Sequence, residues 1–391
     1  MQNDVFLNKV GLLCAAGNSV ESLKNGLLSD TNFMTLDDSF GAQPLPLGIC
    51  HDELPVNPLK ASCWQSRNNQ FALAAYLQIQ SEVEQAIAEF GADRVGIVIG
   101  TSTSGIGDAE PAIKSSLESG SLPEDYHYSI QEMGNAAQFI AELSGAKGPV
   151  YAISTACSSG AKALASGKRL ITAGICDVVI AGGVDTLCQL TVQGFSALEA
   201  VSTEVCNPFS KNRNGINIGE AAALFVLSRQ QQGVILRGIG ESSDAHHISA
   251  PEPNGEGATS CMRLAMEDAG LKAKDIDYIN LHGTATALND QMESIAVNQL
   301  FGHNVLCSST KPFTGHTLGA AGAIEAAICW LMLIDETGII PKHCWDGEPD
   351  PSIPKLNLVR ESQSEERCKY VLSNSFAFGG NNIALILERA S

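Results

Sequence analysis

The sequence predicts an α/β protein built from two related halves, and three observations carry that prediction. Short buried strands alternate with helical spacings along most of the 391 residues. Glycine is abundant, at 37 residues, with 44% apolar and only 6% aromatic residues, which describes an interior of closely packed small side chains. Three short patterns also recur in the same order in the two halves. Ile99-Gly100-Thr101-Ser102-Thr103 and His282-Gly283-Thr284-Ala285-Thr286 each follow an apolar strand. Thr155-Ala156-Cys157-Ser158-Ser159-Gly160-Ala161 and Thr314-Gly315-His316-Thr317-Leu318-Gly319-Ala320 each open a small-residue helix. Gly182-Gly183 and Gly379-Gly380 each follow a further strand. The duplication divides the chain into 1–229, carrying Cys157, and 230–391, carrying His282 and His316.

Taken in order, Asp4–Leu13 reads as an edge strand, and Ser19 and Ser22 are candidate caps for a helix that follows. Residues 29–65, with four prolines, read as an irregular surface excursion. Asn68–Phe90 has the spacing of one amphipathic helix. Arg94–Gly100 is a buried strand, 106–148 a stretch of loops and helices, and Val150–Ile153 a short strand running into the Cys157 segment. Asp177–Gly183 and Glu220–Ser228 are further buried strands. In the second half, Gly233–Gly240 opens the chain, Ala258–Gly270 is a helix, and Asp277–Leu281 and Val305–Ser308 are strands. Thr317–Ile334 is a long buried helix, and Tyr370–Ser373 and Ile383–Leu387 close the fold.

Composition excludes several classes. A formal charge of −19 repels nucleic acid and anionic membranes. The most apolar stretch, Thr317–Ile334, is interrupted by Glu325 and reads as a core helix rather than a membrane span. Twelve cysteines without a C-x-x-C pair, and no signal peptide at Met1-Gln2-Asn3-Asp4, point to a reducing cytoplasm. The Cys and His spacings lack a zinc pattern, and Gly238-Ile239-Gly240 does not continue as a phosphate loop, so no metal or cofactor site is expected.

Cys157 sits where a strand gives way to a helix. Unpaired backbone N–H groups and the helix dipole there favour thiolate, the nucleophilic form, while a buried structural Cys is the alternative. His282 ends an apolar strand, at the sheet edge where α/β ligand sites lie. His316 occupies the position matching Cys157 in the repeat, so two helix starts can converge on one pocket. Glu325 stands in an apolar helix, where a carboxylate needs a partner, and Lys311 is the nearest one available. Phe376-Ala377-Phe378-Gly379-Gly380 supplies a tight backbone suited to holding an oxyanion.

Together these segments resemble the β-ketoacyl-acyl-carrier-protein synthases, from about Arg94 to Leu387. The resemblance rests on Thr155–Gly160, His282-Gly283-Thr284, Lys311–Gly322, Asn374-Ser375-Phe376 and Phe378-Gly379-Gly380 and, more loosely, on Asn207-Pro208-Phe209 with Arg213, Gly215, Gly219 and Glu220. It implies the thiolase-like fold, two β/α halves in five αβαβα layers, usually as a dimer. It also implies that Cys157 carries the acyl chain as a thioester. His282 and His316 then assist malonyl decarboxylation, and Lys311 and Glu325 support His316. Backbone N–H groups of Cys157 and Phe378 form the oxyanion hole, and Phe378 gates the channel, with Phe376 and Gly379 beside it. Substrates arrive on the phosphopantetheine of an acyl-carrier protein, without a free cofactor. Two His favour the elongating branch, and the presence of Cys157 argues against a chain-length-factor subunit. The alternatives are an active ketosynthase paired with such a subunit in a heterodimer, or a coenzyme A thiolase. The thiolase reading requires a second catalytic Cys near the C-terminal glycines, whereas Cys368 precedes the strand.

Against the family's basic docking surface, this chain keeps only Lys60 and Arg67, has Pro123-Glu124-Asp125-Tyr126 in a loop that is often basic, and carries Glu199 where an Arg is common. That predicts a dedicated carrier or a different partner subunit. Thr101-Ser102-Thr103-Ser104 places hydroxyls where relatives line the acyl tunnel with Gly and apolar groups, which suits a conjugated or oxidised chain such as a polyene or aryl polyene.

Overall fold

The computed structural model describes residues 4–41, 43–362 and 367–390. Met1-Gln2-Asn3, part of the segment read as carrying no signal peptide, lies outside them. The first half contains strand β1 (Phe6–Cys14), helix α1 (Val20–Leu28) and a small hairpin, β2 (Thr35–Asp37) with β3 (Leu45–Leu47). Helices α2 (Arg67–Leu77) and α3 (Gln80–Phe90) follow, then β4 (Val95–Gly100), α4 (Ile106–Ser119), α5 (Asn135–Ser144) and β5 (Val150–Ile153). Helix α6 (Ser159–Thr172), β6 (Val178–Asp185), α7 (Gln189–Ala197) and β7 (Ala221–Ser228) complete it. The second half runs β8 (Val234–Ser243), α8 (Glu256–Ala269), β9 (Tyr278–Asn280), α9 (Ala287–Phe301), β10 (Leu306–Ser308) and the short α10 (Lys311–Thr314). It ends with α11 (Ala321–Ile334), β11 (Asn357–Leu358), β12 (Tyr370–Ala377) and β13 (Asn381–Arg389).

The strand order shows the duplication directly. The first half is ordered β5-β4-β6-β7-β1 and the second β10-β9-β12-β13-β8, with β11 added outside β10. Strand for strand this is one topology used twice. Among the described residues the half-sheets join through a short pairing, where Phe6 and Leu7 meet Ile235 and Val234 and the Leu236 N–H donates to the Val5 carbonyl. Helices α6 and α11 pack on each other between the sheets, α2 and α5 cover one outer face, and α8, with α9 on it, covers the other. These are the five layers the resemblance implied.

Small residues make the central layer possible. A Cβ on Gly160 would lie 2.9 Å from the backbone N of Ala323, and one on Gly322 would lie 2.7 Å from the Ala161 side chain. Gly160 and Gly322 are thus the reciprocal contact between the two helices. The sequence repeat had aligned Gly160 with Gly319, three residues earlier, and His316 accordingly stands upstream of its helix.

Three element predictions need correction. Residues 29–65, read as an irregular surface excursion, contain the β2–β3 hairpin, whose Leu45 and Leu47 are buried with Ile216, Ile218 and Leu318. Strand β1 is not an edge; it pairs with β7 along its length and lies where the two half-sheets join, because both of its faces are apolar and buried. Residues 68–90 form two helices, broken at Gln78-Ile79, where the Gln78 side chain donates to the carbonyls of Leu12 and Ala74 and thereby ties the break to β1. The predicted cap holds: Ser19 and Ser22 form a reciprocal capping box at α1.

Candidate active site

Cys157 follows β5 in a turn that forces Ala156 into the left-handed region at φ 51°, with the helix beginning two residues later at Ser159. Strain at a non-glycine residue persists only when surrounding structure imposes it. Here Ser159 Oγ accepts from the Thr155 N–H and donates to the Ala156 carbonyl. The thiol is 4% exposed, and its Sγ lies 3.0 Å from His316 Nε2. The expectation of a stabilised thiolate is overturned. Burial pushes the Cys157 thiol up to about 12, against the opposing pull of Lys311 and of the Phe378 and Cys157 N–H groups that face the sulfur.

His282 comes from the end of β9, and His316 from the turn between α10 and α11. Their rings meet edge to face, centroids 5.4 Å apart, and Phe376 packs edge-on against His282 at 6.0 Å. Burial, followed by the charge of Lys311, holds both imidazoles well below the usual histidine range, so they are neutral. The His316 backbone is pinned on both sides: its N–H donates to the Asn217 carbonyl at 2.6 Å and its carbonyl accepts from Gly219 at 3.0 Å.

The Lys311–Glu325 pair is present, Nζ to Oε1 2.5 Å, with both side chains 2% exposed. Burial raises the Glu325 carboxyl and Lys311 holds it back down. The assignment of this pair to His316 is corrected, however. Lys311 Nζ donates to the His282 carbonyl and lies 3.5 Å from His282 Nδ1, so among the described contacts it supports His282.

Phe378 and Gly379 form the turn of the β12–β13 hairpin. Gly379 donates to the Ile248 carbonyl at 2.8 Å and Gly380 to that of Ala377, which leaves the Phe378 N–H to face Sγ. The half-buried Phe378 ring packs on Phe195 of α7, 5.4 Å between centroids. A cavity of about 410 Å³ reaches from Cys157, His282 and His316 past Phe378 to a rim that includes Glu199 and Arg213.

Several expected features fall elsewhere. Thr101 and Thr103 donate their hydroxyls to Asp185, as do the backbone N–H groups of Ser102 and Thr103, and Ser104 donates to the carbonyls of Ile130 and Glu132. The hydroxyls of Thr101, Thr103 and Ser104 thus satisfy buried partners rather than wet an acyl tunnel, while Ser102 Oγ is buried without a partner among the described residues. Arg67 is locked in a two-point bond to Glu220, and Lys60 donates to the Asn57 carbonyl, so the two retained basic residues are engaged within the protein. Sequence reasoning missed the carboxylates behind the site. Glu293 accepts from the N–H groups of His282 and Gly283, and Asp290 from those of Phe209 and Ala285. Both sit on α9; one Asp and one Glu three residues apart after the HGT segment were the signal.

A neutral thiol beside a neutral imidazole, with two N–H groups on the sulfur and a second imidazole across the cavity, is an arrangement chemically suited to thiol-dependent acyl transfer. The beta-ketoacyl synthase N-terminal domain matches residues 68–233 and its C-terminal domain residues 234–344. The chain belongs to the β-ketoacyl synthase family, and it is a condensing enzyme, an acyltransferase of fatty-acid or polyketide chain elongation. It is 32% identical to 3-oxoacyl-[acyl-carrier-protein] synthase 2 of Staphylococcus aureus (strain COL), an alignment covering 98% of both chains. It is 44% identical to a chain of the complex of ketosynthase ApeO with its chain length factor ApeC from Xenorhabdus doucetiae, with a TM-score of 0.95 over 99% of this chain and 98% of that one. The ishigamide ketosynthase/chain length factor is 28% identical, TM-score 0.89, covering all of both chains.

Proposed function

We propose that Cys157 is the acyl-carrying nucleophile of a decarboxylative condensation fed by acyl-carrier proteins. The observation that carries the reading is the 3.0 Å contact between Cys157 Sγ and His316 Nε2, with the Phe378 and Cys157 N–H groups on the same sulfur. Because thiol and imidazole are both neutral at rest, the thiol proton passes to His316 as sulfur attacks the carrier thioester, and carrier thiol leaves with a proton. Malonyl-carrier then loses its carboxylate as CO₂. His282 and His316 hold the resulting enolate oxygen, and the enolate carbon attacks the acyl-Cys157 carbonyl. The N–H groups of Cys157 and Phe378 receive the oxyanion, and collapse expels the Cys157 thiolate, which takes up one proton, and frees 3-oxoacyl-carrier. Lys311 and Glu325 position His282. Phe378, hinged between Gly379 and Ala377, gates access, with Phe376 backing His282.

The partner reading is a heterodimer with a chain-length-factor-like subunit, in place of the usual homodimer. The two solved relatives with such partners support it; the open side of β5 at the end of the sheet suits either kind of dimer. Substrates arrive on phosphopantetheine, and the division at 229/230 is supported by the two family matches. Twelve free cysteines suit the cytoplasm, and among the described residues no helix is long and apolar enough to cross a membrane.

The test is intact mass after incubation with acyl-carriers, then with malonyl-carrier, with and without a candidate partner subunit. Acylation that is lost in Cys157→Ala and discharged as 3-oxoacyl-carrier is expected. Full condensation by Cys157→Ala would end the proposal.

A further inference from the structure

Three loops distant in sequence bring one sulfur and two imidazoles together. A donor atom from each of Cys157, His282 and His316 lies within 4.8 Å of the others, and all three residues are buried. We propose that this constellation is also a binding site for a thiophilic divalent cation of the zinc type, and that the bound ion holds the enzyme in a reversible inactive state. The inactivity rests on the reading of Cys157 as nucleophile; the binding does not.

The donor set decides the class of ion. One thiolate and two neutral imidazoles match zinc and its soft neighbours, while the hard cations Mg²⁺ and Ca²⁺ require oxygen ligands. Tetrahedral zinc, with bonds of about 2.0–2.3 Å, spaces its donors roughly 3.3–3.6 Å apart. The observed 3.0 Å from Sγ to His316 Nε2 and the 4.8 Å limit bracket that spacing, so small side-chain rotations close the site. The fourth position opens into the 410 Å³ cavity, which has room for water. The nearest cation, Lys311, is matched by Glu325 at 2.5 Å, so a second positive charge does not meet an uncompensated ammonium. On binding, Cys157 releases its proton to solvent as the metal–sulfur bond forms, and no oxidant or reductant is involved. The spacing of the three residues in sequence carries no zinc signature because the fold, not a local motif, assembles them.

The experiment is alkylation of the full-length protein by iodoacetamide, read at Cys157 by peptide mass after buffered ZnCl₂, MgCl₂ or no metal. Reading at Cys157 separates this site from the other cysteines, and the assay needs no carrier, so it stands apart from the condensation test. Zinc is expected to slow Cys157 alkylation at least tenfold, a chelator to restore it, and magnesium to leave it unchanged. His282→Ala and His316→Ala, each confirmed folded by its melting profile, are expected to lose most of the zinc protection relative to their own metal-free rates. Unchanged alkylation in zinc, or protection retained in both variants, overturns the proposal.

Discussion

Removing Glu325 should destabilise the protein far more than removing the whole ion pair. Lys311 Nζ and Glu325 Oε1 are 2.5 Å apart, and both side chains are 2% exposed. At an effective dielectric of about 20, their attraction is about 7 kcal/mol, most of which offsets the loss of water around both charges. Glu325→Leu leaves a buried ammonium with, among the described residues, the His282 carbonyl and Nδ1 as partners, a net loss of about 3–5 kcal/mol. With an unfolding entropy of about 0.8 kcal/mol/K for a chain this long, Tm should fall by about 5 °C. Lys311→Met combined with Glu325→Leu removes both charges and should recover at least half of that loss. Urea titrations of the four proteins supply the double-mutant cycle, with a coupling energy of about 2 kcal/mol or more expected. A Glu325→Leu protein within 1 kcal/mol of wild type, or losses that simply add, would refute the buried-pair argument. The double variant should still be slow in condensation, since its His282 loop has lost the Lys311 hydrogen bond.

Two other predictions follow from local geometry. His343 Nδ1 accepts from the Ser309 N–H at 3.1 Å and Nε2 donates to the Pro208 carbonyl at 2.9 Å, so the ring is neutral, and burial lowers its pKa to about 4. The folded value lies below the unfolded one, so this stabilisation is complete above pH 6.5 and is lost as pH falls through 4. It amounts to about 3 kcal/mol, read as the pH-dependent part of the urea stability that is missing in His343→Gln. Gly322→Ala should cost about 1–3 kcal/mol because its Cβ meets Ala161 and Ser375 inside 3 Å, whereas Gly194→Ala, with open space around it in α7, should be neutral or stabilising by up to about 1 kcal/mol; thermal melts of the two distinguish packing from propensity.

The repeat was legible because both halves reuse one topology, and topology places similar loops after similar strands. The Lys311–Glu325 pair was legible for a different reason: a carboxylate in an apolar helix must have a partner, and few cations lie nearby in sequence. Helix α9 was not legible. Its buried side includes Asn289, Asp290, Glu293 and Ser294, so the apolar periodicity that marks a helix is missing. The edge assignment of β1 failed because pairing partners 207 to 222 residues away cannot be read from a strand's own residues. Likewise, the hydroxyls of Thr101 and Thr103 took their meaning from Asp185, more than 80 residues downstream.

The missed carboxylates share a purpose that the sequence could not reveal. Asp185 collects the N–H groups of Ser102, Thr103 and Gly319, tying the loop after β4 to the turn after His316. Glu293 collects those of His282 and Gly283, and Asp290 those of Phe209 and Ala285. Each takes orphan donors from a loop that leaves a sheet edge, where no ladder or helix can satisfy them. The acids behind this site therefore hold backbone, while a thiol and two neutral imidazoles face the cavity. That division explains how the loops around His282 and His316 can be strained or irregular and still fixed, while the Cys157 turn is held by Ser159 Oγ. It also explains why residue types that elsewhere signal acid–base chemistry serve here as backbone scaffold.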